Sequence, residues 1–263
     1  MAILLNIILG VAFLLICISQ LALCYVNDIR LPKLKLDKLT GKSGKIRILA
    51  IDPHPDDETM ISGGFLAYFG VHKDVEVKHI CFTQGEKGDE LLKISEKELA
   101  IIRQTEYVAA LGKLGCANYA ILDFPDGRLN TKIEEIKLRL QKDIESYKPD
   151  VILTYERSGL YGHPDHIALS KAVHDLVEEK HIDTKVLYKT LPKNVLKNIK
   201  LPIHMANGVE VKQALPKYRL PVLKQFWKKY QAARQHKSQN VGQGKPLWIL
   251  MLLFTNEYFT DTY

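Results

Sequence analysis

The sequence predicts an α/β protein: a Rossmann-like, mostly parallel sheet with helices on both faces, preceded by an N-terminal transmembrane helix. Three observations predict it. From Lys45 onward, short apolar runs of strand length alternate with longer amphipathic stretches. Several of those runs, such as Ile48 to Ile51 and Val151 to Leu153, are apolar over consecutive residues, as strands covered on both faces require. The first 26 residues are almost free of polar side chains.

In Ala2–Val26 only Asn6, Ser19 and Gln20 are clearly polar. At about 1.5 Å per residue this run crosses a hydrocarbon layer of roughly 30 Å. A cleaved signal peptide carries a basic leader before its apolar core, and no Lys or Arg precedes this one. The stretch Leu21-Ala22-Leu23-Cys24 resembles a lipoprotein cleavage box, but Leu23 is bulky where such boxes hold a small residue. The expectation is an uncleaved anchor over 1–26. Arg30, Lys33, Lys35, Lys38, Lys42, Lys45 and Arg47 follow it, and positive flanks stay in the cytoplasm. The remainder is therefore expected in the cytoplasm, facing the endoplasmic reticulum membrane if the source is eukaryotic. Residues 27–44, with Pro32, lysines, Gly41 and Gly44, read as a basic juxtamembrane tether or as a partly ordered strand or helix.

Residues 45–263 read as one further domain. The segments 45–52, 75–83, 119–124, 150–155 and 185–191 read as strands. Between them, 59–70, 95–113, 131–147 and 166–179 read as helices, the second opened by Ser95 and Glu98 at capping-box spacing. Asp126-Gly127 marks a turn. Pro202, Pro216 and Pro221 break up the last third. There, 222–237 reads as a basic helix carrying Phe226, Trp227 and Tyr230. The apolar run 247–254 is too short to span a bilayer; it is either buried or rests on lipid.

Composition narrows the function. With 46% hydrophobic and 25% charged residues over 263 positions, the chain is neither disordered nor collagen-like. Four cysteines cannot form a disulfide framework, and Cys81 and Cys116 lack the CxxC spacing of a zinc ribbon or redox pair. The net charge of +7 calls for an anionic partner. Its densest stretch follows the apolar N-terminus, which favours membrane lipids over nucleic acid.

In an open α/β sheet, ligands sit beyond the carboxyl ends of the strands. Two such loops carry imidazole and carboxylate together: Pro53-His54-Pro55-Asp56-Asp57-Glu58 and Gly159-Leu160-Tyr161-Gly162-His163-Pro164-Asp165-His166. His54 and Asp57 are three apart across a strand-to-helix turn and can converge on one cation. Asp56 points elsewhere and can face a bound water. His163 and His166 are again three apart, and one or both can reach the same point. Two His and one Asp leave a coordination position open, as catalytic zinc sites do. Glu58 and Asp165 fit as carboxylates that orient the imidazoles; Glu58 fits equally as a helix-start acid.

With those motifs on the page, the chain resembles a known family. ILAIDPHPDDE, with GLYGHPDH far downstream, is similar to the LmbE-like de-N-acetylases, which include N-acetylglucosaminyl-phosphatidylinositol de-N-acetylase (PIG-L). CFTQGEKGDE, the segment from Arg103 to Glu106, FPDGRL and, more weakly, the His-Lys-Ser-Gln stretch from His236 agree; the likeness is good over residues 45–179. The resemblance implies zinc held by His54, Asp57 and His166. It implies Asp56 as general base, and His163 off the metal, assisting the tetrahedral intermediate and the leaving amine. Tyr161 then either polarises the amide oxygen or walls the pocket. Pro53 departs from the alanine common in the family, which stiffens the loop. The expected activity is zinc-dependent removal of acetate from an N-acetylglucosamine-type amino sugar, on a glycolipid such as N-acetylglucosaminyl-phosphatidylinositol; another divalent metal is an alternative to zinc. A metal-dependent phosphoesterase and a non-catalytic glycolipid-binding protein are the competing readings.

Overall fold

The structure is a computed structural model that describes residues 2–88, 91–197, 213–241 and 246–263. Pro202, Asp89 and Glu90 lie outside the described residues.

The chain opens with helix α1 (Ala2–Val26), none of whose 18-residue apolar window is buried; by length and composition it can cross a membrane. The stretch expected as a tether is packed in part. Leu34 and Leu36 are buried, α2 (Leu36–Thr40) is helical, and Leu34 N–H donates to the Arg219 carbonyl at 2.8 Å. The leucines spaced among the lysines supply the apolar surface that holds this segment down.

Strand β1 (Ile46–Asp52) is followed by α3 (Asp57–Met60) and α4 (Gly63–Phe69). The single helix expected over 59–70 is thus two pieces. Next come β2 (Val75–Thr83), α5 (Glu96–Leu114), β3 (Asn118–Phe124), α6 (Ile133–Tyr147), β4 (Val151–Tyr155), α7 (Gly159–Gly162), α8 (Pro164–Glu179) and β5 (Lys185–Thr190). The expected capping box is present: Ser95 Oγ accepts from Glu98 N–H, and the Glu98 carboxylate accepts from Ser95 N–H. After α9 (Lys193–Leu196) the described chain adds β6 (Tyr218–Pro221), α10 (Phe226–Ala233), α11 (Leu247–Leu253) and β7 (Asn256–Thr260).

The sheet has seven strands in the order β3-β2-β1-β4-β5-β7-β6. The first five are parallel; β7 and β6 are antiparallel additions at one edge. Two strands thus follow the last one read from the sequence, at 185–191. Alternate residues of β1 feed two cores. Ile48 and Ala50 pack with Phe65, Leu66, Tyr107 and Leu111 of α4 and α5. Leu49 and Ile51 pack with Leu140, Leu169 and Val173 of α6 and α8. Each such large apolar side chain contributes roughly 1.5–3 kcal/mol by leaving water. Strand order reverses between β1 and β4, and this switch point opens the crevice where such sheets bind ligands. Both motif loops leave the sheet there.

Candidate metal centre

The turn after β1 folds back on itself. Asp57 Oδ2 accepts from the His54 backbone N–H at 3.0 Å and lies 3.3 Å from His54 Nδ1. From the other loop, His166 Nε2 comes within 3.4 Å of Asp57 Oδ1. Ligands about 2.1 Å from a tetrahedral cation stand roughly 3.4 Å apart. His54 and His166 thus each approach Asp57 at about that spacing, through different carboxylate oxygens.

The imidazoles differ in what they can offer. His166 is 1% exposed, and neither ring nitrogen has a hydrogen-bond partner. Burial pushes its pKa down to about 3, so the ring is neutral with a free lone pair. An unpaired buried polar group costs about 1–3 kcal/mol, and a cation beside Asp57 would satisfy it. His54 directs Nε2 at Asp165 Oδ2 (3.1 Å) and Asp126 Oδ1 (3.2 Å). A proton held there by carboxylates leaves Nδ1 as the donor atom. Burial opposes charge on His54, yet Asp126, Asp165 and Asp57 together hold its pKa well above the usual value.

Among the described residues two sets of donor atoms lie within 4.8 Å of one another, those of His54, His163 and His166 and those of His54, Asp126 and Asp165. Chemistry separates these sets. His163 caps α8, and its Nδ1 accepts from Asp165 N–H at 3.2 Å. A neutral imidazole has one lone pair, so Nε2 of His163 carries the proton and has none left for a metal. Asp165 spends both oxygens on the backbone, accepting from Gly127 N–H at 2.7 Å and Leu129 N–H at 3.0 Å. Its Oδ2 meets His54 Nε2 as well.

Asp56 occupies a left-handed backbone conformation with φ 106°, which strains any residue but glycine. The strain is held by Glu58 Oε2, which accepts from Asp56 N–H at 2.8 Å, and by Thr59, whose N–H and hydroxyl both donate to the Asp56 carbonyl. Arg103 donates to the Pro55 carbonyl and stands 3.5 Å from Asp56 Oδ1. Burial, joined by repulsion from Asp57 and Glu58 and opposed by Arg103 and His236, lifts the Asp56 carboxyl to about 6.

Glu58 sits in the first turn of α3, the second of the two places expected for it. It touches none of the three loop imidazoles; its Oε1 binds His236 Nε2 at 2.6 Å. The reason is direction: Oε2 is committed to the Asp56 turn, and the carboxylate faces the segment after α10. Tyr161 lies 5.3 Å, ring to ring, from His166 and 6.1 Å from His163. Burial drives its phenol pKa up, so the hydroxyl keeps its proton. Its loop depends on Gly159 at φ +59°, where a Cβ would come within 2.6 Å of the His166 Cβ. With His54, Asp56, Asp126 and His163, Tyr161 lines a cleft of about 500 Å³, a volume suited to a small organic ligand.

Sequence reasoning missed a buried polar chain beneath this cleft. Tyr155 OH donates to Asp57 Oδ1 at 2.8 Å, and the Tyr155 ring stacks on His166 at 4.1 Å. The Lys189 ammonium lies 3.8 Å from the centre of that ring and pairs with Asp52. Asp52 Oδ2 also meets His79 Nε2 at 3.0 Å, and His79 Nδ1 meets Tyr107 OH at 2.7 Å. Asp126 was missed as well, although it too follows a parallel strand and the search beyond strand ends reaches it.

Fold and cleft define a class: an open, switch-point α/β domain whose crevice gathers imidazoles and carboxylates around room for a cation. Residues 49–177 match the family model described as GlcNAc-PI de-N-acetylase, PIG-L. The chain carries a PIG-L family domain over those residues, and its relatives are LmbE-like deacetylases. One is the 1D-myo-inositol 2-acetamido-2-deoxy-alpha-D-glucopyranoside deacetylase 1 of Catenulispora acidiphila, 30% identical over 145 residues, covering 46% of this chain and 45% of that protein. The chain spans about half the length of the curated relatives it matches. Among solved structures, the N,N'-diacetylchitobiose deacetylase of Pyrococcus horikoshii superposes with a TM-score of 0.62 at 22% identity, over 86% of this chain and 89% of the other. The 4-carboxy-2-hydroxymuconate hydratase GalB of Pseudomonas putida KT2440 gives 0.59 at 15%, over 83% and 96%. At these identities the likeness shows the fold alone.

Proposed function

We propose that this protein is a zinc-dependent de-N-acetylase that frees acetate from an N-acetylglucosamine-type sugar on a membrane glycolipid. The observation that carries the reading is His166, a buried imidazole without a hydrogen-bond partner, turned toward the Asp57 carboxylate that also meets His54. His54, Asp57 and His166 would hold the metal. When bound, the cation supplies a lowered pKa for a coordinated water and a positive pole for the amide oxygen.

The residues around it divide the proton work. Asp56 takes a proton from the attacking water as the oxygen bonds to the amide carbon. The tetrahedral oxyanion that results accepts a hydrogen bond from Tyr161 OH. His163, its lone pair at Nδ1 engaged by Asp165 N–H, keeps Nε2–H as a donor and hydrogen-bonds the tetrahedral intermediate. The proton taken up by Asp56 passes to the nitrogen of the breaking C–N bond, leaving acetate and a free amino sugar.

The substrate follows from the relatives and from α1. The family description and the names of the relatives share an N-acetylglucosamine joined to inositol. A helix long enough to anchor the chain, followed by a basic flank that keeps the domain cytoplasmic, suits that sugar on a phosphatidyl group. In this reading 1–26 is the anchor, 27–44 the basic juxtamembrane segment and 45–263 the deacetylase domain. N-acetylglucosaminyl-phosphatidylinositol is the substrate that fits.

The test is acetate release from that glycolipid by zinc-loaded protein. Asp56→Ala should abolish turnover with metal content intact. Asp57→Ala and His166→Ala should lose both. Phosphate release in place of acetate would establish the phosphoesterase reading, and stoichiometric metal with neither product would establish a binding protein.

A further inference from the structure

A second, apolar cavity of about 110 Å³ adjoins the metal cleft. Met60 and Ile61 border both spaces. Leu191, Leu250, Met251 and Phe254 border it too, as do Lys229 and Glu257, which neutralise each other in an ion pair at 2.7 Å. Leu250, Met251 and Phe254 stand on or just after α11, on the face opposite Trp248, Ile249 and Leu252, which are 50%, 39% and 38% exposed. One side of α11 therefore closes the cavity, and the other meets the surroundings with a large aromatic and two aliphatic side chains.

The position of α11 says what those surroundings are. Asn27, the residue that follows α1, is buried and donates from Nδ2 to the Leu253 carbonyl at 2.6 Å, while its Oδ1 accepts from Asn256 N–H at 3.2 Å. The inner end of α1 is thus locked to the end of α11. Nearby, α9 contacts α1 and exposes Lys193 and Lys197, cations suited to anionic headgroups. If α1 crosses a bilayer, α11 lies at its surface with an apolar face outward, as interfacial helices do.

We propose that the cavity behind α11 is a binding site for the hydrocarbon portion of a lipid-linked substrate, admitted from the bilayer past α11 while the sugar occupies the metal cleft. This rests on the deacetylase reading for the identity of the sugar, not for the existence of the hydrocarbon site. The volume holds a segment of a few methylenes, and each buried methylene is worth about fourfold in affinity.

The experiment measures binding rather than turnover. Full-length, zinc-loaded protein in phosphatidylcholine nanodiscs is titrated with methyl and octyl glucosaminides, the deacetylated glycosides, with empty discs as the partition control. Octyl should bind at least about tenfold tighter than methyl after that correction. Leu250→Trp, which fills the cavity, should bring the ratio close to one. Phe254→Ala, which enlarges it, should shift the preference from octyl to decyl and keeps the test alive if the first variant fails to fold. The same ratio in wild type and variants, or no octyl preference at all, overturns the site. Acetate release from the acetylated pair is scored separately: its absence with the binding ratio intact would remove the hydrolase reading and leave the hydrocarbon site standing.

Discussion

Tyr155 stands where three requirements meet. It ends a fully buried strand, its ring lies flat against His166, and its hydroxyl occupies Asp57 Oδ1. A carboxylate with one oxygen held by a phenol presents a defined oxygen and lone pair to a cation. Tyr155→Phe keeps the ring stack and removes only that hydrogen bond. Groups that orient metal ligands typically change affinity about 10–100-fold when lost, so the variant should bind zinc at least about tenfold more weakly in chelator competition, with its thermal melt little changed. Equal affinity would show that Asp57 needs no such support. At this scale the sequence was half legible. Imidazoles and carboxylates clustered in loops stand out, because such residues have few structural reasons to gather there. Tyr155, Asp52 and Lys189 do not stand out: each sits in an apolar strand, and only the adjacency of β1, β4 and β5 brings them together. Glu58 illustrates the converse, since its type and place in the motif were plain but its partner, His236, is 178 residues away.

Strands carry the cleft, and their mutual register decides whether two loops meet. Asp150, just before β4, accepts from the Arg47 N–H of β1 at 2.8 Å and from Lys42. One carboxylate therefore ties the two switch-point strands and the segment that precedes β1. Burial raises the pKa of Asp150, but Lys42 and the Arg47 N–H and charge outweigh it and hold the carboxyl below 3.8. A carboxyl depressed in the folded state adds stability above its unfolded pKa and loses it as pH falls through the folded value. Asp150→Asn should destabilise the protein by about 1 kcal/mol at neutral pH, a modest figure because Lys42 is solvent-exposed. Melts of the two proteins should converge only below pH 3.8; a difference unchanged at low pH would mean that the charge contributes nothing. The five parallel strands were readable because each holds a short apolar stretch of β-branched, aliphatic or aromatic residues bounded by turn-forming or charged ones. The antiparallel pair was not. Residues 256–260 read Asn-Glu-Tyr-Phe-Thr, and become a strand because the open edge of β5 offers partners for their backbone. Pairing of that kind is a property of the assembled sheet and leaves no periodic mark on the segment.

For the molecule as a whole, the proposed function requires a polar cleft to reach a sugar carried on a lipid. The two tryptophans, Trp227 and Trp248, are 61% and 50% exposed and sit on different helices. Trp248 lies on α11, tied to the inner end of α1 through Asn27. Trp227 lines a cleft with the cations Lys113, Arg234 and Lys237, surroundings suited to headgroups or water rather than to hydrocarbon. Their emission can be read separately in the Trp227→Phe and Trp248→Phe variants, because no third tryptophan is present. In vesicles whose acyl chains carry bromine, a quencher confined to the hydrocarbon, Trp248 should lose much more of its emission than Trp227. Equal quenching would lay both α10 and α11 in the bilayer. Quenching of neither would lift the domain clear of the lipid, leaving α1 as its sole attachment and requiring the sugar to leave the membrane before it reaches His54 and His166. The arrangement in which only Trp248 is quenched brings the mouth shared by Met60 and Ile61 down to the headgroups, so a sugar still joined to its lipid meets the cleft without leaving the bilayer.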